Sequence, residues 1–258
     1  MDCYRVIMLP GQMFVGPTAM RLWGLPVPTV WTPAEPLHVC VGTDAAPPRG
    51  KRVKGRRLVP HRAQRMIFTG VAVVDPIAAV LTTRPELDFA QLVAAFDALL
   101  TAADNYPGIN ATKPMATRED IERRIEEWGR FSGCARVRRA LDLARDGAES
   151  PKESETRVLI MESGLPEPVM QWTVHDGALL VARVDLAYPE LKIAIEYEGD
   201  GHRTDKEQWR SDIRRQRRLE DLGWIVIRLT QADLTKPSAF LARLARARAT
   251  RLAPADIV

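Results

Sequence analysis

Two strand-like runs, "ALLVARVDLAY" (178–188) and "LKIAIEYEG" (191–199), are separated by Pro189-Glu190 alone. Both are rich in aliphatic and aromatic residues, and the second alternates apolar with acidic side chains, so the pair is expected to form an antiparallel hairpin. A two-residue turn would pair Tyr188 with Leu191, so that paired residue numbers sum to 379. Asp185 then faces Ala194, and it shares a face with Glu196 and Glu198 because side chains alternate along a strand. Asp185 and Glu196 become diagonal neighbours, roughly 7–8 Å apart at the backbone. Leu186, Ile193, Ile195 and Tyr197 take the other face and form a candidate core.

Two carboxylates at that separation can converge on one divalent cation. Hard cations such as Mg2+ or Mn2+ take oxygen ligands and keep several waters. A bound ion of this kind polarises a phosphodiester and lowers the pKa of an attacking water. Asp185 and Glu196 are therefore candidate metal ligands, and Glu198 a second ligand or a base acting on the water. The same pattern also suits a polar outer face on an ordinary hairpin. The following segment, "KEQWRSDIRRQRRLEDLGW", reads as a helix over about 206–222. At about 100° per residue, Trp209, Ile213 and Leu219 line its inner face, with Asp212 and Gln216 inside the same stripe. Inward polar groups need partners, so Asp212 is expected to be mostly buried against the site. Arg214, Arg215 and Arg218 point away, where they could meet phosphates.

The rest of the chain falls on either side of "RDGAESPKESE" (145–155), a small, polar stretch that places a boundary between domains 1–147 and 148–258. Behind it come a helix at about 153–163, the hairpin, the Arg-rich helix, the strand "WIVIRLT" and a terminal helix. Ahead of it lie Pro- and Gly-rich short strands, then helices at "DPIAAVLT", "ELDFAQLVAAFDALL", "TREDIERRIEEW" and "CARVRRALDLAR". The first opens on an Asp cap with Pro at the first turn, and the third on a Thr117–Asp120 capping box. The whole net charge of +4 belongs to residues 1–150, since residues 151–258 hold 17 basic and 17 acidic side chains. Eight of the front cations lie in "PPRGKRVKGRRLVPHRAQR" (47–65), including Arg56 and Arg57, either a solvated loop or hairpin or a phosphate-contacting stretch. No run of about 18 apolar residues predicts a membrane span. Cys3, Cys40 and Cys134 are too scattered for a zinc knuckle and suggest a reducing cytoplasm. His38, His61 and His175 stand outside any motif and read as structural.

"ESETRVLIMESGLPEP", "ARVDLAYPELKIAIEYEGDGHR" and "RSDIRRQRRLEDLGWIVIRLT" together resemble the Vsr-like endonuclease domain of the PD-(D/E)XK superfamily, over about residues 150–235. The resemblance implies an α/β restriction-endonuclease-like domain, a mixed sheet flanked by helices, with the active site at the hairpin. It implies that Glu155, Asp185 and Glu196 are the acids of that site, that the Tyr197 carbonyl is a further metal ligand, and that His202 lies near the cut phosphate. Glu198 departs from the superfamily's usual lysine, and Lys192, about 13 Å along the strand from Glu196, is a poor substitute. "PTAMRLWGLPVP" and "VVDPIAAVLTTRPELDFAQLVAAFDALL" resemble the AbiEi-type antitoxin-like domain, which implies an α+β front domain with DNA contact or a regulatory role.

The expected function is Mg2+- or Mn2+-dependent hydrolysis of phosphodiester bonds in DNA by a cytoplasmic bacterial endonuclease. The alternatives are a non-catalytic DNA-binding regulator that keeps the nuclease fold and an RNA-cutting toxin.

Overall fold

The computed structural model describes residues 7–109, 111–199 and 206–253, with the side chains of the last segment described from Asp212 onward. The chain divides into two compact units at Pro151/Lys152, four residues beyond the boundary expected from composition. Each unit builds helices on a mixed sheet, so the molecule is a mixed α and β protein. No helix among the described residues is long and apolar enough to cross a membrane.

In the front unit, strands β1 (Met13–Phe14), β2 (Leu37–Val41), β3 (Arg49–Gly50), β4 (Val53–Arg57), β5 (Arg65–Phe68) and β6 (Val71–Val74) form one sheet in the order β3-β4-β2-β1-β6-β5. Helices α1 (Gly16–Trp23), α2 (Pro76–Thr83), α3 (Phe89–Leu100), α4 (Arg118–Glu127) and α5 (Cys134–Leu143) complete it. Their starts follow local chemistry. Asp75 caps α2 by accepting from the Ala78 N–H at 3.0 Å, with Pro76 at the first position. Asp88 with Gln91, and Thr117 with Asp120, make reciprocal capping boxes for α3 and α4. Gly24 closes α1 at φ 73°, and a Cβ there would lie 1.7 Å from the Gly108 carbonyl oxygen, so only glycine fits. Phe14, Met20, Val39, Val73, Leu92, Phe96 and Leu99 are fully buried in this unit. Its basic stretch forms the antiparallel hairpin β3–β4, a short 3-10 turn and the start of β5.

In the rear unit, β7 (Val169–Asp176), β8 (Leu179–Tyr188), β9 (Ile193–Tyr197) and β10 (Ile225–Leu229) run in the order β10-β9-β8-β7. The first pair is parallel and the other two are antiparallel. Helices α6 (Pro151–Glu162), α7 (Lys206–Asp221), α8 (Gln231–Thr235) and α9 (Ser238–Leu252) pack around this sheet. Leu186, Ile193 and Ile195 bury one face with Ile160 of α6 and Phe240 and Leu244 of α9. Ala187 and Ala194 bury the opposite face with Leu219 of α7 and Trp224. The sheet is thus covered on both sides, and the carboxylate face of the hairpin lies under α7 instead of facing solvent.

The hairpin register differs from the two-residue expectation. Pro189–Leu191 form a short 3-10 turn, and Lys192 completes the connection in the left-handed region at φ 49°, ψ 49°. Tyr188 therefore pairs with Ile193, Ala187 with Ala194 and Leu186 with Ile195. Paired numbers sum to 381 instead of 379, and the same count places Asp185 directly across from Glu196. The strand β7, which no clear alternation announced, adds an edge beside β8.

Candidate active site

Asp185 lies within β8, three residues before its end, and Glu196 lies one residue before the end of β9, away from the hairpin link. Asp185 is half-buried, and its Oδ2 accepts from the Tyr197 N–H at 2.9 Å. In an extended strand the N–H and C=O of one residue point to the same side, so the Tyr197 carbonyl also faces Asp185. On the other flank, the Glu198 N–H donates to the Leu229 carbonyl of β10 at 2.8 Å.

Glu196 is 7% exposed. Its Oε1 lies 3.0 Å from Arg215 Nη2, and its Oε2 lies 3.7 Å from Nε of Arg228, its register partner on β10. Neither contact is aimed well enough to be a hydrogen bond, and Oε1 accepts none among the described residues. Burial pushes the Glu196 acid above the usual carboxylate range. Arg215 and Arg228 oppose that shift, while Asp185 and Asp212 add to it. A buried, charge-capable oxygen without a hydrogen bond is uncommon in folded proteins. Here it is flanked by a second carboxylate, with a backbone carbonyl on the same side.

That donor set is all oxygen and suits a hard divalent cation, with Asp185, Glu196 and the Tyr197 carbonyl as the residues that would hold it. It is a two-carboxylate set: among the described residues no three His, Cys, Asp or Glu side chains gather as a metal-binding group. Arg215 and Arg228 supply positive charge at Glu196 in this arrangement.

Several expected site residues stand elsewhere. Glu198 shares the strand face; its carboxylate bonds Arg228 Nη1 at 2.7 Å and is 47% exposed. Glu155 on α6 pairs with Lys152 Nζ at 2.6 Å. Its neighbour Glu153 is the deeper acid, 5% exposed and accepting from Gln171 Nε2 at 2.7 Å. His202 lies outside the described residues.

On α7, Arg214 and Arg218 are exposed, as expected from their angular position. Arg215 is not directed away. At about 100° per residue it lies within one-sixth of a turn of Leu219 and Asp212, so it shares their inward stripe, and its guanidinium reaches Glu196. Asp212 is half-buried, not mostly buried, though its charge is felt at Glu196. Gln216 does not turn inward to the site; its Nε2 donates to Glu220 Oε1 one turn on, at 2.7 Å on the exposed side. Ile213 is half-buried, and the side chain of Trp209 falls outside the described ones.

In the front unit, Arg57 is exposed and its Nε donates to the Ala45 carbonyl at 3.0 Å. Arg56 is half-buried instead of solvent-facing, with Nη1 on the Thr82 carbonyl at 3.1 Å and Nη2 3.2 Å from His38 Nδ1. His38 is buried and its pKa falls to about 4, first through burial and then through Arg56 and Lys54, so it is neutral at pH 7 and can accept from Arg56.

The residue that sequence reading missed is Arg228. Its signal is visible in "WIVIRLT", where one cation interrupts an otherwise apolar strand. Only the parallel register with β9 puts it beside Glu196.

Comparison with known proteins gives relatives but no activity. Two uncharacterized proteins, from two strains of Mycobacterium tuberculosis, are each 32% identical to this chain over 130 residues, 50% of the chain and 48% of the relative. The chain therefore spans about half the length of the curated relatives it matches. No family model matches the chain, and no solved structure matches it.

Proposed function

We propose that this chain is a metal-dependent endonuclease of the Vsr-like, PD-(D/E)XK type, hydrolysing phosphodiester bonds in DNA in the bacterial cytoplasm. On this reading the rear unit is a restriction-endonuclease-like fold. The observation that carries it is the juxtaposition of Asp185 and Glu196, which continuing the β8–β9 register sets across from each other on a covered sheet face, one of them buried with an oxygen that accepts no hydrogen bond among the described residues. Asp185, Glu196 and the Tyr197 carbonyl would hold Mg2+ or Mn2+. That ion, when bound, supplies Lewis acidity toward the phosphate and a more acidic water. The protein's own contribution is positioning. The Tyr197 N–H fixes the Asp185 carboxylate, and Arg228 holds Glu198 aside while lying near Glu196. Exposed Arg214 and Arg218 on α7 offer donors to the DNA backbone. The test is cleavage of plasmid and oligonucleotide DNA with Mg2+, with Mn2+ and with EDTA. Asp185→Ala should abolish metal-dependent cleavage and leave the circular dichroism spectrum unchanged. Full activity in that variant, or activity in excess EDTA, overturns the reading.

A second reading is a DNA-binding regulator without catalysis. It is favoured by the 3.0 Å approach of Arg215 to Glu196, which supplies a positive charge without a metal. Calorimetric titration with Mn2+ separates the two: the regulator takes up none at this site.

A further inference from the structure

In the front unit two arginines meet the C-terminal end of α2, and a third, Arg62, joins Arg84 over Trp128. Arg56 donates to the carbonyl of Thr82, and Arg84 Nη1 donates to the adjacent carbonyl of Leu81. Arg84 Nε also donates to the Ser132 carbonyl at 3.1 Å. Arg62 and Arg84 both lie over the ring of Trp128, at 5.3 and 5.7 Å from its centroid. Arg62 Nη2 donates to the Trp128 carbonyl at 3.0 Å.

Charge does not balance here. A helix C-terminus carries about half a negative charge, against three full positive ones. Among the described residues no carboxylate forms an ion pair with Arg56, Arg62 or Arg84. His38, the other titratable neighbour of Arg56, is neutral. Donors remain too: among the described residues Arg62 Nε is buried without a hydrogen-bond partner, and neither Arg84 Nη2 nor Arg56 Nε donates to an acceptor. Burial depresses the Arg84 pKa, and the charges of Arg62 and Arg56 depress it further. Three half-buried guanidiniums forced together cost free energy unless an anion joins them.

We infer that Arg56, Arg62 and Arg84 form an anion site that takes a phosphate group, carried either by a nucleic-acid backbone or by a small phosphorylated compound. Planar guanidiniums with spare donors match phosphate oxygens in charge and geometry. The site lies entirely within the front unit and does not depend on the nuclease reading.

The test is calorimetric titration of the full chain with pyrophosphate at constant ionic strength. Wild type should show one saturable site. Arg84→Gln should bind about tenfold more weakly, the loss of one charge-assisted contact, while Arg123→Gln, exposed on α4 and outside the cluster, should match wild type. If Arg84→Gln fails to fold by thermal melt, Arg84→Lys keeps the charge but loses the fork and should weaken binding severalfold. A short DNA duplex then identifies the source. If the natural anion is a backbone phosphate, pyrophosphate competes with the duplex, and Arg84→Gln lowers the slope of log K against log salt by about 0.9. If it is a small compound, pyrophosphate binds without displacing DNA. Absence of saturable binding in wild type, or equal affinity in a folded Arg84 variant, overturns the site.

Discussion

Asp75 in the front unit and Glu196 in the rear unit are both buried carboxylates, 5% and 7% exposed, yet their surroundings differ. Asp75 is complete. Its Oδ1 accepts from the Ala78 N–H at 3.0 Å, and its Oδ2 from the Gln64 N–H at 2.7 Å and Arg124 Nη1 at 2.9 Å. It caps α2, ties that helix to the residue preceding β5, and neutralises an arginine that is itself buried. Glu196 has two arginines near it and, among the described residues, no hydrogen bond to Oε1. A fold needs its buried charges satisfied. On the proposed reading, the finished carboxylate serves the fold and the less satisfied one would serve the site.

That contrast predicts opposite mutational behaviour. The largest effect should come from Asp75→Ala, which removes a helix cap and strands Arg124 without its buried counter-charge. Urea unfolding should show a loss of about 3–5 kcal/mol. A loss below about 1 kcal/mol would erase the distinction between the two acids.

Glu196→Gln should lose no stability at pH 7 while removing metal-dependent cleavage. The sign follows from its raised acid. The folded state holds that proton more tightly than the unfolded chain, so the stabilisation is fully present below the ordinary glutamate pKa and is lost as pH rises through the raised one. The variant should therefore flatten the stability–pH curve in the window above the ordinary value. Metal uptake by wild type should grow over the same window, because the ligand must be deprotonated. A variant that is as unstable as Asp75→Ala would show that Glu196 is structural after all.

Arg215→Gln sharpens the comparison further, by removing the cation that stands at Glu196. Its side chain is 35% exposed, so solvent screens the pair and the effect is modest. Mn2+ affinity by calorimetry should rise a few-fold; a fall would mean that Arg215 organises the site and does not compete with the ion. The smallest effect belongs to Gln216→Ala, which breaks only an exposed bond to Glu220. It should change stability by less than about 0.5 kcal/mol.

The two-sided alternation of β9 was legible from residue types, because large apolar side chains alternate with Ala194, Glu196 and Glu198 along "IAIEYE". So were the caps at Asp75 and Thr117, which depend on neighbours three residues away. The opposition of Asp185 and Glu196 was not, because it depends on Lys192 adopting a left-handed backbone, a conformation that no side-chain pattern requires. The inward turn of Arg215 was available from helix geometry alone but conflicts with the habit of placing arginine outside. Arg228 became meaningful only with the pairing of β9 and β10, a contact between strands 28 residues apart in sequence. The strand β7 mixes apolar with polar residues and is largely exposed along its length, with Val169 and Trp172 among the exposed ones, so burial left little periodic trace in it.

The Pro189–Lys192 connection has a consequence for how such a site can change. Lengthening a hairpin link from two residues to four keeps the parity of the pairing, so every core side chain stays on its own face while the strands slide past each other by one pair. The two acids move from diagonal to opposed, and Leu186, Ile193 and Ile195 remain inside. A link longer or shorter by one residue would instead turn one strand over and carry its acid into the core. Insertions here are thus tolerated in twos. The hairpin can act as a gauge that resets the gap between Asp185 and Glu196 in discrete steps, leaving the packing beneath it unaltered.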